Sequence, residues 1–584
     1  MKIDKVLDEL EQLFTLGQMN RIEDFLKEQI EIATKEKDGN ACLTLLNELI
    51  GFYRVTTRFP EALQTIEEIQ ALLVQMDLQE TTGAGTSWLN IATLYRAMGR
   101  FQDAAACYKK AEAIYEKKLE LDDYRMAGLY NNYSLYYQET DHYELAVSYL
   151  EKALAVICRL PDTLVQQAVS HTNLGQVYTK MRQWDKAAEH LKQAETLFST
   201  IQNDDEHYSG LANAFGYYYM QREDYKAAVG YYETALFHVN HFYGKTQNYN
   251  QIQKDLFVAY KKAGYPVYNN MLDLCQAYYE TYGKKMIHDN FPEYENRIAV
   301  GLCGEGSECF KMEDRISMDH DCGPGFSMWV TRETYDAMGI ALQAAYEKLP
   351  KVFAGYIRED TVYGQGRCGV CIIDDFYKRV LGKDKIPEHP LEWNSIDEAF
   401  LATATNGKVF VDEEGLFTRK RESLLAYYPE GVWLEKLGKK LIYAAQTGQY
   451  NYGRMMARGD YVTAGITLSK YMETIMEVVY LLNRTYCPYY KWKRKMMGTL
   501  QVLPEIGPIL DAIGDMPSQR QAWEHYTYNG NPNPNDMIAQ TIEIIAKLVT
   551  DVLQKMELSD MADPYLEVQG QAVLRKALMK KEYE

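Results

Sequence analysis

Trp88-Leu-Asn-Ile-Ala-Thr-Leu-Tyr95, closed by Gly99-Arg100-Phe101, decides how the first half of the chain folds. Its tyrosine is one of six in a fixed phase: Tyr53, Tyr95, Tyr137, Tyr178, Tyr219 and Tyr260 follow one another at intervals of 42, 42, 41, 41 and 41 residues. Nine residues after each of the first five stands Ala62, Ala104, Ala146, Ala187 or Ala228. Seven further on stand Ile69, Ala111, Ala153, Ala194 and Ala235, with Tyr108, Leu150, Leu191 and Tyr232 between the two small positions of four repeats. A small residue recurring where two helices cross, flanked by large ones, implies a repeated helix–turn–helix unit. One helix pair cannot bury its apolar face alone, so the units stack into a solenoid with a continuous core. On that reading the phased tyrosines and alanines are core, and binding belongs to the concave face between them.

The pattern resembles a tetratricopeptide array, most clearly in the unit above and in Asn173-Leu-Gly175 with Tyr178 and Trp184. Its period exceeds that of the common repeat and is similar to the long-helix repeats of kinesin light chains. About five repeats are expected over residues 40–240, with 4–38 as a capping helix pair and 250–264 as the closing helix. The resemblance implies a scaffold for a protein or peptide partner.

The phase ends at Ala263-Gly264-Tyr265-Pro266. Residues 266–283 read as one more amphipathic helix, and Arg297-Ile-Ala-Val-Gly-Leu-Cys303 as a buried strand running into Gly304-Glu305-Gly306-Ser307. A short helix over 308–312, a strand over 316–322 that resumes at Phe326-Ser-Met-Trp-Val330 and a helix over 331–349 follow. A strand at Gly369-Val-Cys-Ile-Ile373, a helix over 397–405 and a strand at Lys408-Val-Phe-Val411 complete a mixed pattern. From Arg419 the pattern is helical, with long segments at 430–447, 460–484, 515–525 and 535–557. The expected fold class is multidomain, α plus α/β. It comprises an α-solenoid over 1–264, a mixed-sheet α/β domain over 265–420 and a helical bundle over 421–584.

At 584 residues the chain exceeds what one core supports. Its net charge of −19 argues against a nucleic-acid partner, and so against RNA tailing, because such binding draws on Lys and Arg to neutralise phosphate. No run approaches the length of an uncharged membrane span. Met1-Lys2-Ile3-Asp4-Lys5 enters a charged pattern with no apolar signal segment, so a cytoplasmic location without membrane contact is expected. Cys368-Gly-Val-Cys371 is a lone CxxC pair. A metal site would need a second pair, so buried reduced thiols are expected instead.

After eleven intervening residues the glycine turn is followed by Asp319-His320-Asp321. In a strand Asp319 and Asp321 share one face while His320 points away. Two carboxylates on one face repel unless a cation sits between them, and Mg²⁺ takes a few carboxylates together with phosphate oxygens. Two such ions suit in-line displacement at phosphorus. Gly304 and Gly306 permit close backbone approach, and a helix opening at the turn would add its N–H groups and dipole. Candidates for a third carboxylate are Asp374, Asp375 and Asp412, of which Asp374 is preferred. Arg458, four residues after Arg454 on one helical face, is a candidate phosphate contact, as are Arg315, Arg367 and Lys311. Glu305 and Glu308 flank the turn and would repel a triphosphate unless they point away or bind metal.

This combination resembles the nucleotidyltransferase superfamily, whose motif is a Gly-Ser turn followed by Asp-x-Asp. The longer string from Gly301 to Phe310 and from Ser317 to Phe326 resembles an uncharacterised bacterial branch in which this domain is often fused to repeats. The bundle behind it is similar to that of kanamycin-nucleotidyltransferase-like enzymes, where it helps form the acceptor site. The resemblance implies Mg²⁺-dependent transfer of a nucleoside monophosphate from a nucleoside triphosphate to an unidentified small-molecule or protein acceptor. Gly304, Gly306 and Ser307 would hold the triphosphate with Arg458. Asp319 and Asp321 would be the metal ligands, and Asp374 would complete the catalytic set. Without a third carboxylate the alternative is a non-catalytic repeat scaffold whose transferase-like domain senses nucleotide or is inert.

Overall fold

A computed structural model describes residues 2–15, 18–120, 122–201, 205–314, 323–358, 366–383 and 385–581. Its packing divides the chain into two units, residues 1–267 with 351–357, and residues 268–350 with 358–584.

The first unit begins with α1 (Ile3–Thr15) and α2 (Met19–Lys35). Five helix pairs follow: α3 (Gly39–Val55) and α4 (Phe59–Gln75), α5 (Thr82–Ala97) and α6 (Phe101–Lys118), α7 (Tyr124–Glu139) and α8 (Tyr143–Ile157), α9 (Leu164–Lys180) and α10 (Trp184–Ser199), α11 (Tyr208–Gln221) and α12 (Tyr225–Tyr243). The closing helix is α13 (Gln247–Ala263). The sequence period is present in the backbone hydrogen bonds. Each first helix of a pair ends in a left-handed residue: Thr57, Gly99, Asp141, Arg182 and Glu223 lie at φ 58, 73, 60, 58 and 62°. The next N–H then folds back onto the carbonyl of the phased tyrosine. Arg58 donates to Tyr53, Arg100 to Tyr95, His142 to Tyr137, Gln183 to Tyr178 and Asp224 to Tyr219, at 2.8–3.0 Å. This closure satisfies the last carbonyls of a helix and turns the chain in few residues. At the non-glycine positions it costs roughly 1 kcal/mol each, small against the burial the tight turn permits. All ten phased small positions, from Ala62 and Ile69 to Ala228 and Ala235, are completely buried.

The tyrosines are less uniformly core than expected. Tyr53 and Tyr178 are buried, whereas Tyr95, Tyr137, Tyr219 and Tyr260 are half-buried. Their rings are shared with neighbours at the rim, as where the Arg100 guanidinium lies 4.5 Å over Tyr95.

A stacked array leaves its last apolar face in need of a cover. Here a hairpin from far downstream supplies one. Val352–Phe353 pairs antiparallel with Tyr356–Ile357, and Val352 and Ile357 join Val229, Leu236, Ile252 and Leu256 in one apolar cluster. Gln253 Nε2 donates to the Gly355 carbonyl at 2.8 Å, and the Phe257 and Tyr356 rings meet edge-on at 5.8 Å.

Between α9 and α10 the Nδ1 atoms of His171 and His190 face each other at 2.9 Å. The His190 ring also stacks on Tyr178. Burial and then the charge of His190 hold His171 down at about 4, whereas an unfolded histidine titrates near about 6.5. Between these values the unfolded chain binds the extra proton, so folding loses stability as pH falls through this window. Melts of the full chain should show the array midpoint lower at about pH 5 than at about pH 7, and His171→Phe should flatten that dependence. Equal pH slopes in the two proteins would refute the assignment.

In the second unit, β1 (Ala299–Leu302), β2 (Ser327–Val330), β3 (Gly369–Ile372) and β4 (Lys408–Val411) form one sheet in the order β3-β2-β1-β4. β1 runs antiparallel to β2, with Ala299 opposite Trp329, and antiparallel to β4. β2 runs parallel to β3, with Trp329 opposite Cys371. β1 and β2 are buried along their whole length, as befits strands covered on both faces. The strand expected over 316–322 lies wholly on residues outside those described. The helix expected at 515–525 instead spans Ile506–Asp515, followed by a single turn at Arg520–Trp523, because Pro517 interrupts the segment. A further helix, Leu566–Lys581, meets the helix Glu430–Ala444 where a Cβ on Gly570 would stand 2.7 Å from the Gly438 carbonyl.

One apolar core runs from the sheet into the helices. It includes Ala299, Trp329 and Phe376, then Phe417 and Trp433, and continues to Val549. The expected division at residue 420 therefore leaves no gap in the packing. No helix among the described residues is long and apolar enough to cross a membrane.

Candidate active site

β1 delivers the glycine turn. Gly304 and Gly306 lie at φ 109 and 118°, a region that any Cβ makes costly. Asn406, in the loop before β4, grips the turn from behind. The Gly304 N–H donates to Asn406 Oδ1 at 2.8 Å, and Asn406 Nδ2 donates to the Gly304 carbonyl at 2.7 Å. Arg421 fixes that loop in turn, its Nη2 donating to the carbonyls of Thr405 at 2.6 Å and Asn406 at 3.2 Å. The Gly407 N–H donates to the Cys309 carbonyl at 2.8 Å. With the back of the turn held, the N–H groups of Glu305, Gly306 and Ser307 form no hydrogen bond among the described residues. Ser307 is buried, and its carbonyl accepts from the N–H groups of Phe310 at 3.1 Å and Met312 at 2.9 Å.

The two flanking glutamates take opposite positions. Glu308 is 5 % exposed and forms an ion pair with Arg367, whereas Glu305 is exposed. Ser327 Oγ donates to the Arg367 carbonyl at 2.6 Å, tying the ion pair to β2. The thiols around the turn are protonated: burial pushes Cys303 up to about 12 and Cys368 up to about 11. Cys368 and Cys371 are free thiols and are half-buried rather than buried as expected. Among the described residues no group of three or more His, Cys, Asp or Glu side chains could hold a metal ion.

The remaining candidate residues are dispersed. Asp319, Asp321 and Arg315 lie outside the described residues. The helix expected after the turn is a single turn, Glu308–Phe310, too short to carry a dipole that would favour an anion. Asp374 is not at a strand end but in the first turn of the helix Ile373–Leu381, where it pairs with Lys420. Asp375 pairs with Arg332 at 2.9 Å. Asp412 caps the helix Leu416–Leu425, accepting from the N–H groups of Gly415 at 3.0 Å and Thr418 at 2.7 Å. Arg458 is exposed at the end of the helix Gly453–Ala457, and the Arg454 guanidinium lies 4.5 Å over the Tyr450 ring rather than beside an anion. Lys311 is exposed in left-handed backbone. Asn406 and Arg421 were not among the expected residues. The one local signal for the first was the turn-forming pair Asn406-Gly407 before a strand.

Residues 41–117, 83–159 and 125–200 match the tetratricopeptide repeat family. Residues 393–493 match a family described as a domain of unknown function (DUF4037). Protein KINESIN LIGHT CHAIN-RELATED 3 of Arabidopsis thaliana is 23% identical over 185 residues, which is 31% of this chain and 28% of that protein. The match thus spans well under half the length of that relative. Among solved structures, BtubC from P. vanneervenii is similar at 20% identity and a TM-score of 0.28, covering 36% of this chain and 84% of that one. A Rap protein complexed with competence and sporulation factor is similar at 17% identity and a TM-score of 0.36, covering 45% and 72%. Scores at this level carry no argument about function. The N-terminal part of the chain is a tetratricopeptide repeat array, similar in sequence to that of a kinesin light chain relative.

Proposed function

We propose that the second unit binds a nucleoside triphosphate at Gly304–Ser307 and transfers its nucleotidyl group to an acceptor, while the array recruits a protein or peptide. The observation that carries the nucleotide reading is the turn itself: it is clamped from behind by Asn406 and presents three N–H groups without partners among the described residues. Such an array of N–H groups suits phosphate oxygens. Mg²⁺ would be held by Asp319 and Asp321 and would neutralise the phosphates during transfer. The described residues do not supply a third ligand, because Asp374 is engaged with Lys420 and Asp412 with a helix end. That engagement favours a second reading, in which the domain binds nucleotide without turnover and the array is the working part.

Tetratricopeptide repeats imply a protein partner. Amides recur along their first helices: Asn90 Nδ2 donates to Asn47 Oδ1 at 3.1 Å, and Asn173 Nδ2 to Asn131 Oδ1 at 3.0 Å. Asn131 and Asn132 line a cleft of about 270 Å³ with Gln166 and Ser170, a setting suited to the amide backbone of an extended peptide.

The nucleotide reading is tested by thermal melts with ATP, GTP, CTP or UTP and Mg²⁺, on wild type and on Asp319→Asn/Asp321→Asn. At a hundredfold its dissociation constant a nucleotide should add about 2.7 kcal/mol. A Mg²⁺-dependent gain lost in the variant supports the site. No gain with any nucleotide in folded protein would leave the scaffold reading alone.

A further inference from the structure

Within the first unit, α1, α3 and the end of α12 enclose a cleft of about 800 Å³, in the size range of small-molecule sites. Its wall is mixed, with one apolar side. α1 contributes Leu7, Leu10 and Phe14 from one face, α3 contributes Phe52 and Val55, and Phe242 closes the far side. Arg54 also lines the cleft. It is half-buried, and its guanidinium forms no hydrogen bond or ion pair among the described residues, with the Glu206 charge acting on it from a distance. The neighbouring cation Arg96 already pairs with Glu139.

The charges around Arg54 narrow what it can take. A guanidinium withdrawn from bulk water and left without a hydrogen-bonded partner attracts an anion. Glu11, Glu48, Asp205 and Glu206 line the same cleft. Glu206 accepts from the Tyr243 hydroxyl and Asp205 from His207, while burial pushes the Glu48 carboxyl up. These acidic groups repel a dianion such as a phosphate monoester about twice as strongly as a single negative charge, so a monoanion is the anion Arg54 can best take. The surrounding walls suit a hydrocarbon group.

We propose that this cleft binds a monocarboxylate carried on an apolar body, with the carboxylate on Arg54 and the body against Leu7, Leu10, Phe14 and Phe52. The site is independent of the nucleotide reading. It is tested on the full chain by calorimetric titration with octanoate, and with a short leucine-terminated peptide as free acid and as amide.

Saturable binding of an acid form is expected, and loss of the charge in Arg54→Gln should weaken it by about tenfold or more. Arg54→Lys should retain most of the affinity. Glu48→Gln removes a repelling carboxylate and should tighten binding by about threefold, a gain that misfolding cannot mimic if Arg54→Gln proves unstable. Octanoate alone binding assigns the site to free acids; the peptide acid binding above its amide assigns it to a chain terminus. No saturable binding, equal affinity for acid and amide, or an unchanged affinity in folded Arg54→Gln would overturn the proposal.

Discussion

Gly306→Ala is expected to abolish nucleotide-dependent stabilisation and to lower the melting midpoint of the second unit while leaving the array transition in place. Gly306 sits at φ 118°, where an alanine is strained whatever the space around it. A Cβ there would also overlap the Arg367 guanidinium and the Glu308 carboxylate. These two form a largely buried ion pair, and a buried pair forced apart leaves charges without compensation at a cost of about 3 kcal/mol. The turn would rearrange to relieve the overlap, and its three N–H groups would shift with it. Differential scanning calorimetry of the full chain, with and without nucleotide and Mg²⁺, separates the effects. A wild-type profile in both conditions would mean that the turn does not hold the arrangement described.

The largest loss of stability is expected from Trp329→Ala. Trp329 is wholly buried and stacks on Phe417 with ring centroids 3.9 Å apart and planes at 12°. Phe376 meets it edge-on at 5.6 Å. Truncation would open a cavity between the sheet and the helix Leu416–Leu425, costing about 3–5 kcal/mol. The indole Nε1 has no hydrogen-bond partner among the described residues, so Trp329→Phe removes an unsatisfied polar group along with some volume. The two losses partly offset, and the cost should fall to about 1–2 kcal/mol. Chemical denaturation with a probe in the second unit checks the contrast. Equal losses in the two variants would show that the ring stack does not set the stability of this core.

The array was legible because its information is local. Each repeat uses the same alanines at the helix crossing and the same tyrosine carbonyl to close its first helix, so spacing alone reports the architecture. The candidate site was legible only where its chemistry lies in one short segment. Gly304 and Gly306 stood out because their backbone needs glycine. The side chain that holds them, Asn406, is 102 residues away, and nothing in its own neighbourhood marks it as a partner of that turn. Asp374 was placed at a strand end, but the strand stops at Ile372 and Asp374 opens a helix beside Lys420. One residue of boundary decided which way that carboxylate was engaged.

By itself the sequence determined the solenoid, its period and its approximate limits, since stacked repeats touch only their neighbours and each contact recurs in register. It also determined the positions of the buried strands and of the glycine turn. Only the tertiary structure decided which strands flank β1, that a hairpin at 352–357 covers α12 and α13, and that sheet and helices share one core. It alone decided that Glu308 is neutralised by Arg367. These are contacts between residues far apart in the chain. Their cost is loop closure and their gain is burial, and neither leaves a periodic trace in the residues that make them.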